Sequence, residues 1–172
     1  MRYFIIGFKS SGKTTIGKKL SRLLKMEFID LDDFIEKMTG RTVPEIFSAD
    51  GEEEFRKLEW KALKEVVKKD NLVVSTGGGV PCHCDNMAIM EQNGEIIYLK
   101  LDNQTLVSRL EKATTNRPIV KNKTKDELHR YIEDLKYRCE HHYLKAKYII
   151  DGKNLKVNEL ADFLRSEQFK SV

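Results

Sequence analysis

The sequence is short of cysteine. Only Cys82, Cys84 and Cys139 occur in 172 residues. An odd number of thiols without a secretory segment argues against a disulfide framework and points to reduced cysteines in a cytoplasm. Long apolar runs are also missing. The first one, Arg2 to Ile6, is too brief for a signal peptide or a membrane span. Charge of one sign is in small excess, with a net +4 and a pI near 8.8. That suits an anionic ligand but is too weak and dispersed to argue for nucleic acid, and the basic residues lack interleaved aromatics for stacking. No internal repeat or low-complexity segment occurs. What remains is a chain that is 40% hydrophobic with regular apolar spacing. It is long enough to bury the core of one globular domain.

The most informative stretch follows the first apolar run at once. Gly7-Phe8-Lys9-Ser10-Ser11-Gly12-Lys13-Thr14 fits G-x-x-x-x-G-K-[ST], between a strand and an amphipathic helix carrying Ile16, Leu20, Leu23 and Leu24. Glycines let the backbone wrap a phosphate, and successive N–H groups at a helix start present a positive field to it. Lys13 can reach β- and γ-phosphates, and the Thr14 hydroxyl can ligate Mg²⁺.

Further along, Glu27 to Asp30 reads as a second strand, ending in the carboxylate cluster Asp30, Asp32 and Asp33. A short helix follows, with Phe34, Ile35 and Met38 inward and Gly40 as its cap. Thr42 to Glu45 is a capping box, and Asp50-Gly51 offers another helix start, before inward Phe55, Leu58, Ala62, Leu63, Val66 and Val67. Leu72 to Thr76 is a buried strand before Gly77-Gly78-Gly79. A helix around Asn86 to Gln92, a turn at Asn93-Gly94 and a strand from Glu95 to Leu101 come next. Leu106 and Leu110 open a helix that gives way to a basic stretch from about Glu111 to Lys123. Thr124 to Glu127 caps a helix running to about Lys145, with Leu128, Ile132, Leu135 and Cys139 inward. Tyr148 to Ile150 is the last strand. The turn Gly152-Lys153-Asn154 leads to a final helix bearing Val157, Leu160, Ala161 and Leu164. Strands alternating with helices imply an open parallel sheet covered on both faces, with the ligand site at the strand C-termini.

At that edge the strand before the glycines lacks a terminal acidic residue. Asp30 and Asp32 are therefore the obvious oxygen donors for a metal, with Ser75 or Thr76 weaker candidates. In a continued strand Asp30 and Asp32 would share a face, one serving the metal and the other an acceptor hydroxyl. The alternative is that Asp32 and Asp33 merely cap the next helix. Arg56 and Glu59 share one side of a helix, as a site pair or an ordinary surface pair. The triple glycine marks a close approach or a flexible loop. The stretch with Arg109, Lys112, Arg117, Lys121 and Lys123 is a closing lid or a solvated loop. Arg138 is a further site cation or a surface charge. Cys82-His83-Cys84 lacks zinc-site spacing.

Together these motifs resemble shikimate kinase, over essentially the whole chain: Gly7 to Thr14 continued by Thr15-Ile16-Gly17, Phe28 to Asp32 with Ile35-Glu36, Gly51-Glu52 with Phe55-Arg56 and Glu59, Gly77 to Gly79, Arg117-Pro118, and Arg138. The resemblance implies an α/β fold: a P-loop NTPase of nucleoside-monophosphate-kinase type, a five-stranded parallel sheet flanked by helices on both faces. It implies one kinase domain over residues 1–172, with a substrate-binding subregion about 31–60 and a lid about 111–123. The implied reaction is ATP- and Mg²⁺-dependent phosphorylation of the 3-hydroxyl of shikimate, on the way to chorismate and aromatic amino acids. By matching position, Asp32 is the base, with Lys13 and Arg117 catalytic beside it. Gly7, Ser10, Ser11, Gly12, Lys13, Thr14, Thr15, Arg109, Arg117 and Lys153 bind ATP, and Thr14 with Asp30 holds the metal. Arg56 and Arg138 clamp the shikimate carboxylate, Glu59 holds Arg56, and Gly78 and Gly79 bring N–H groups to the substrate. A cytoplasmic monomer with no nucleic-acid or membrane partner is expected. Ser10 stands where most relatives have Gly, and Glu140 and His142 where they have Pro and Tyr. The rival readings are a gluconate-kinase-like enzyme and a nucleotide-binding protein that has lost catalysis.

Overall fold

A computed structural model describes residues 1–113 and 124–170. Five strands form one sheet: β1 (Arg2–Ile6), β2 (Glu27–Asp30), β3 (Leu72–Ser75), β4 (Glu95–Lys100) and β5 (Tyr148–Asp151). Their order is β2-β3-β1-β4-β5, and every pair is parallel. The chain winds outward from β1 to β2, returns through β3, and then crosses to β4. The order therefore reverses around β1, which opens a crevice beyond its C-terminal end.

Side-chain alternation divides the core into two. Phe4, Ile6, Val74, Ile96 and Tyr98 face helices α3 (Val43–Val66), α4 (Asn86–Asn93), α5 (Asn103–Ala113) and α6 (Lys125–Tyr143). Tyr3, Ile5, Val73, Ile97 and Leu99 face α1 (Lys13–Leu24) and α7 (Val157–Lys170). Strands buried on both sides explain the nearly continuous apolar runs.

The helix boundaries follow local chemistry. Thr42 and Thr124 each form a reciprocal capping box, with Glu45 and Glu127. Gly51 has φ 81° and ψ 178° and breaks α3 into two segments at the second expected start. Helix α2 (Leu31–Thr39) ends on Gly40 at φ 69°. Two expectations fail. Met38 is 43% exposed, because α2 packs through Leu31, Phe34 and Ile35 and turns Met38 outward. Asn93 belongs to α4, where its amide donates to Ile89 O at 2.8 Å, and the bend falls on Gly94 alone.

Candidate active site

The loop between β1 and α1 is built on unusual backbone. Gly7 sits at φ 148° and Gly12 at φ 98°, and a Cβ on Gly7 would lie 2.8 Å from Leu99 O. Ser10 adopts φ 66°. That left-handed conformation suits glycine and costs a serine roughly 1 kcal/mol, which accounts for the glycine expected there. Lys13 Nζ donates to the carbonyls of Gly7 and Phe8, both at 2.8 Å. Arg109 Nη1, reaching over from α5, donates to Ser11 O at 2.8 Å. The Ser11 hydroxyl is buried without a hydrogen-bond partner. Thr15 is exposed on the first turn of α1. Lys153 lies farther out, its ammonium 3.5 Å from Asp102 Oδ2.

Asp30 has two duties. The chain turns from β2 straight into α2, so Asp30 is both the last strand residue and the helix cap, accepting from Asp32 N at 3.1 Å. Its other oxygen accepts from Thr14 Oγ1 at 2.8 Å. The continued-strand geometry for Asp30 and Asp32 is thus overturned: Asp32 sits in the first turn of α2, and the cap is Asp30. Two hard oxygens 2.8 Å apart at a phosphate loop fit a Mg²⁺ shell completed by phosphate and water.

The Asp32 carboxylate is left with one buried oxygen unpartnered. Burial and the neighbouring Asp30 charge raise its pKa, against the pull of Lys13 and Lys9. Close by, Glu59 is 1% exposed and accepts from Arg56 Nη1 at 2.7 Å. Burial outweighs Arg56 and pushes the Glu59 pKa up to about 7. Burial works against the Arg56 charge, but Glu59 and Glu52 together prevail and hold it above its ordinary value.

The triple glycine threads between these groups. A Cβ on Gly77 would lie 2.8 Å from Glu59 Oε1 and 3.2 Å from Asp32 Oδ1; one on Gly79 would lie 2.6 Å from Arg56 Cζ; one on Gly78 would lie 3.3 Å from Lys9 N. Side chains at Gly77 and Gly79 would therefore displace the site's own side chains, and one at Gly78 would crowd the phosphate-loop backbone. Arg138 is exposed on α6, and its charge acts on Glu52, the carboxylate that Arg56 also holds at 2.8 Å. Hence the phosphate loop, Asp30, Asp32, Arg56, Glu59, the glycines and Arg138 meet at one sheet edge. Arg117, with the centre of the expected lid, lies outside the described residues.

The shikimate kinase family model matches residues 9–167. The chain belongs to the shikimate kinase family. A shikimate kinase of Bacteroides fragilis is 44% identical over 149 residues, covering 87% of this chain and 83% of that one. The crystal structure of shikimate kinase from Bacteroides thetaiotaomicron superposes with a TM-score of 0.90 at 37% identity, covering 98% of each chain. The Acinetobacter baumannii shikimate kinase in complex with shikimate gives 0.86 at 30% identity, covering 99% of this chain and 93% of that one. The fold is accordingly the P-loop, nucleoside-monophosphate-kinase type, and shikimate kinases are ATP-using phosphotransferases.

One residue of this crevice has no motif in the sequence. Tyr143 donates its hydroxyl to Gly78 O. Its signal was present: Tyr143 continues the inward row of α6, four residues beyond Cys139.

Proposed function

We propose that this crevice transfers the γ-phosphoryl group of ATP to the 3-hydroxyl of shikimate, giving shikimate 3-phosphate and ADP for chorismate and aromatic amino-acid synthesis. The observation that carries the reading is the Arg56–Glu59 pair, its carboxylate buried and its guanidinium wedged against Gly79 beside Asp32 and the phosphate loop. A planar guanidinium at that point suits the acceptor's carboxylate, and Arg138 supplies a second cation.

Catalysis here is mainly alignment and charge neutralisation. Asp32 orients the 3-hydroxyl and takes its proton as the oxygen attacks the γ-phosphorus. The bond from phosphorus to the β–γ bridging oxygen breaks, and ADP leaves. The raised Asp32 pKa favours keeping that proton. Lys13 exchanges its two loop carbonyls for phosphate oxygens, and Arg109 steadies the loop's backbone from α5. Gly7, Ser10, Ser11, Gly12 and Thr15 line the phosphates, Lys153 flanks the adenine side, and Arg117 closes onto the transferring group. Thr14 and Asp30 would hold Mg²⁺, which offsets phosphate charge when bound. Gly78 and Gly79 offer N–H groups to shikimate.

The whole chain acts as one kinase domain, with an acceptor-binding subregion about 31–60 and a lid about 111–123. It works on small molecules as a cytoplasmic monomer, without nucleic-acid or membrane partners. Among the described residues no helix is long and apolar enough to cross a membrane. The test is ADP release with Mg²⁺-ATP across an acceptor panel. Shikimate should support turnover, while gluconate and nucleoside monophosphates should not. Turnover with either of those and none with shikimate would overturn the reading.

A further inference from the structure

Tyr143 ends α6 and is buried, with 1% exposure. Its ring stands edge-on to Phe8 of the phosphate loop, with centroids 4.8 Å apart and planes at 85°. On another side it packs on Tyr98, at 5.1 Å. These contacts fix the ring from two directions, and the hydroxyl then reaches the Gly78 carbonyl. The Cys82 thiol, one 3₁₀ turn beyond Gly79, lies near that hydroxyl. Burial holds the phenol well above its ordinary pKa, so it remains a proton donor across the physiological range.

The consequence follows from peptide geometry. The chain has no cis peptide among its described residues. In a planar trans peptide the N–H of Gly79 points opposite to the carbonyl of Gly78. A peptide between two glycines meets little resistance to rotation, since neither side carries a Cβ. It has two orientations, one presenting a donor and the other an acceptor. The Tyr143 hydrogen bond selects the orientation in which the carbonyl faces α6 and the Gly79 N–H faces away from it. Neither the Gly78 nor the Gly79 N–H donates to another group among the described residues. The guanidinium of Arg56 lies against Gly79. A donor held ready beside that cation suits an acceptor molecule rich in hydroxyl and carboxylate oxygens.

We propose that Tyr143 is a positioning residue that locks the Gly78–Gly79 peptide, so that the Gly79 amide is set to donate to the phosphoryl acceptor; this rests on reading the crevice as the shikimate site. Tyr143 acts through the peptide and need not touch substrate. The phosphate loop feels only its ring, so removing the hydroxyl alone should separate the two substrates.

The experiment is Tyr143→Phe, which keeps the ring packing. The KM for shikimate should rise about three- to tenfold, the equivalent of one net hydrogen bond, with the KM for ATP and kcat within twofold of the unaltered enzyme. A merely structural role would loosen the loop that Phe8 belongs to and raise both KM values together; that outcome, or an unchanged shikimate KM, overturns the proposal. A second measurement needs no turnover. In ¹⁵N-glycine-labelled protein, only ten amides resonate. The substitution should shift the Gly78 and Gly79 resonances of the ligand-free protein and leave Gly40 and Gly152 in place. Unshifted Gly78 and Gly79 resonances overturn the lock. An unaltered enzyme without activity on shikimate would instead overturn the reading of the site.

Discussion

Replacing Gly79 with alanine probes the acceptor site through a single methyl group. Gly79 has φ −86° and ψ −16°, which alanine adopts without strain. On backbone grounds alone, alanine would stabilise the fold by about 0.4–1 kcal/mol, through the entropy of the unfolded chain. The steric term runs the other way and is larger. The new Cβ would lie 2.6 Å from Arg56 Cζ, so the guanidinium must leave. It then gives up its bonds to Glu59 at 2.7 Å and Glu52 at 2.8 Å. Displaced, it also no longer meets the acceptor's carboxylate, and a hydrogen bond to a charged group nets about 1.5–3 kcal/mol, or roughly 10- to 150-fold in affinity. Initial rates of ADP release over a grid of shikimate and ATP concentrations should therefore show Gly79→Ala raising the shikimate KM roughly 10- to 100-fold. The ATP KM should stay within twofold, because the three atoms nearest the new methyl all belong to Arg56. A shikimate KM within twofold of the unaltered enzyme would refute the reasoning. It would mean that Arg56 is dispensable, or that it moves freely.

Two further predictions follow from the same site. Lys13→Ala removes the ammonium poised across the phosphate loop, so kcat should fall at least ~100-fold while the fold is retained; near-normal turnover would refute its phosphate role. Glu59 has a folded pKa of about 7 against an ordinary 4.5, so between those values the folded state holds a proton that the unfolded state releases. Stability therefore drains away as pH rises through that window and is level above it. Urea unfolding at pH 5 and pH 8 should show the parent protein losing roughly 2–3 kcal/mol relative to Glu59→Gln, and parallel curves would contradict the burial argument.

The parts of this molecule that were legible in its sequence share one property: their cause is local. The phosphate loop, the capping boxes at Thr42 and Thr124, and the break at Gly51 depend on residues within a few positions of one another. The sheet's buried strands were legible because parallel strands are apolar on both faces. The i,i+3 spacing of Arg56 and Glu59 gave their contact, but not the burial of Glu59, whose carboxylate lies under Gly77 beside Asp32. The role of Asp30 was hidden because no loop separates β2 from α2, so one residue ends the strand, caps the helix and reaches Thr14. Met38 was misplaced because periodicity shows that a face exists, not how wide it is; α2 buries Leu31 and Ile35 and leans Phe34 on the core, and that suffices. Tyr143 was missed because its partner is a backbone carbonyl 65 positions away, which no motif spells out. The left-handed turn at Ser10 is the reverse case: a known departure from the family pattern whose meaning needed a dihedral angle.

The most direct test of the account is the identity of the phosphorylated product. Enzyme, Mg²⁺-ATP and shikimate are incubated together, and the mixture is followed by ³¹P NMR with proton correlation. The account predicts one new phosphomonoester, coupled to the ring proton at carbon 3 and formed in step with ADP. Asp32→Asn should slow its appearance at least ~100-fold. ADP formed without an ester, or an ester on a different hydroxyl, would contradict it.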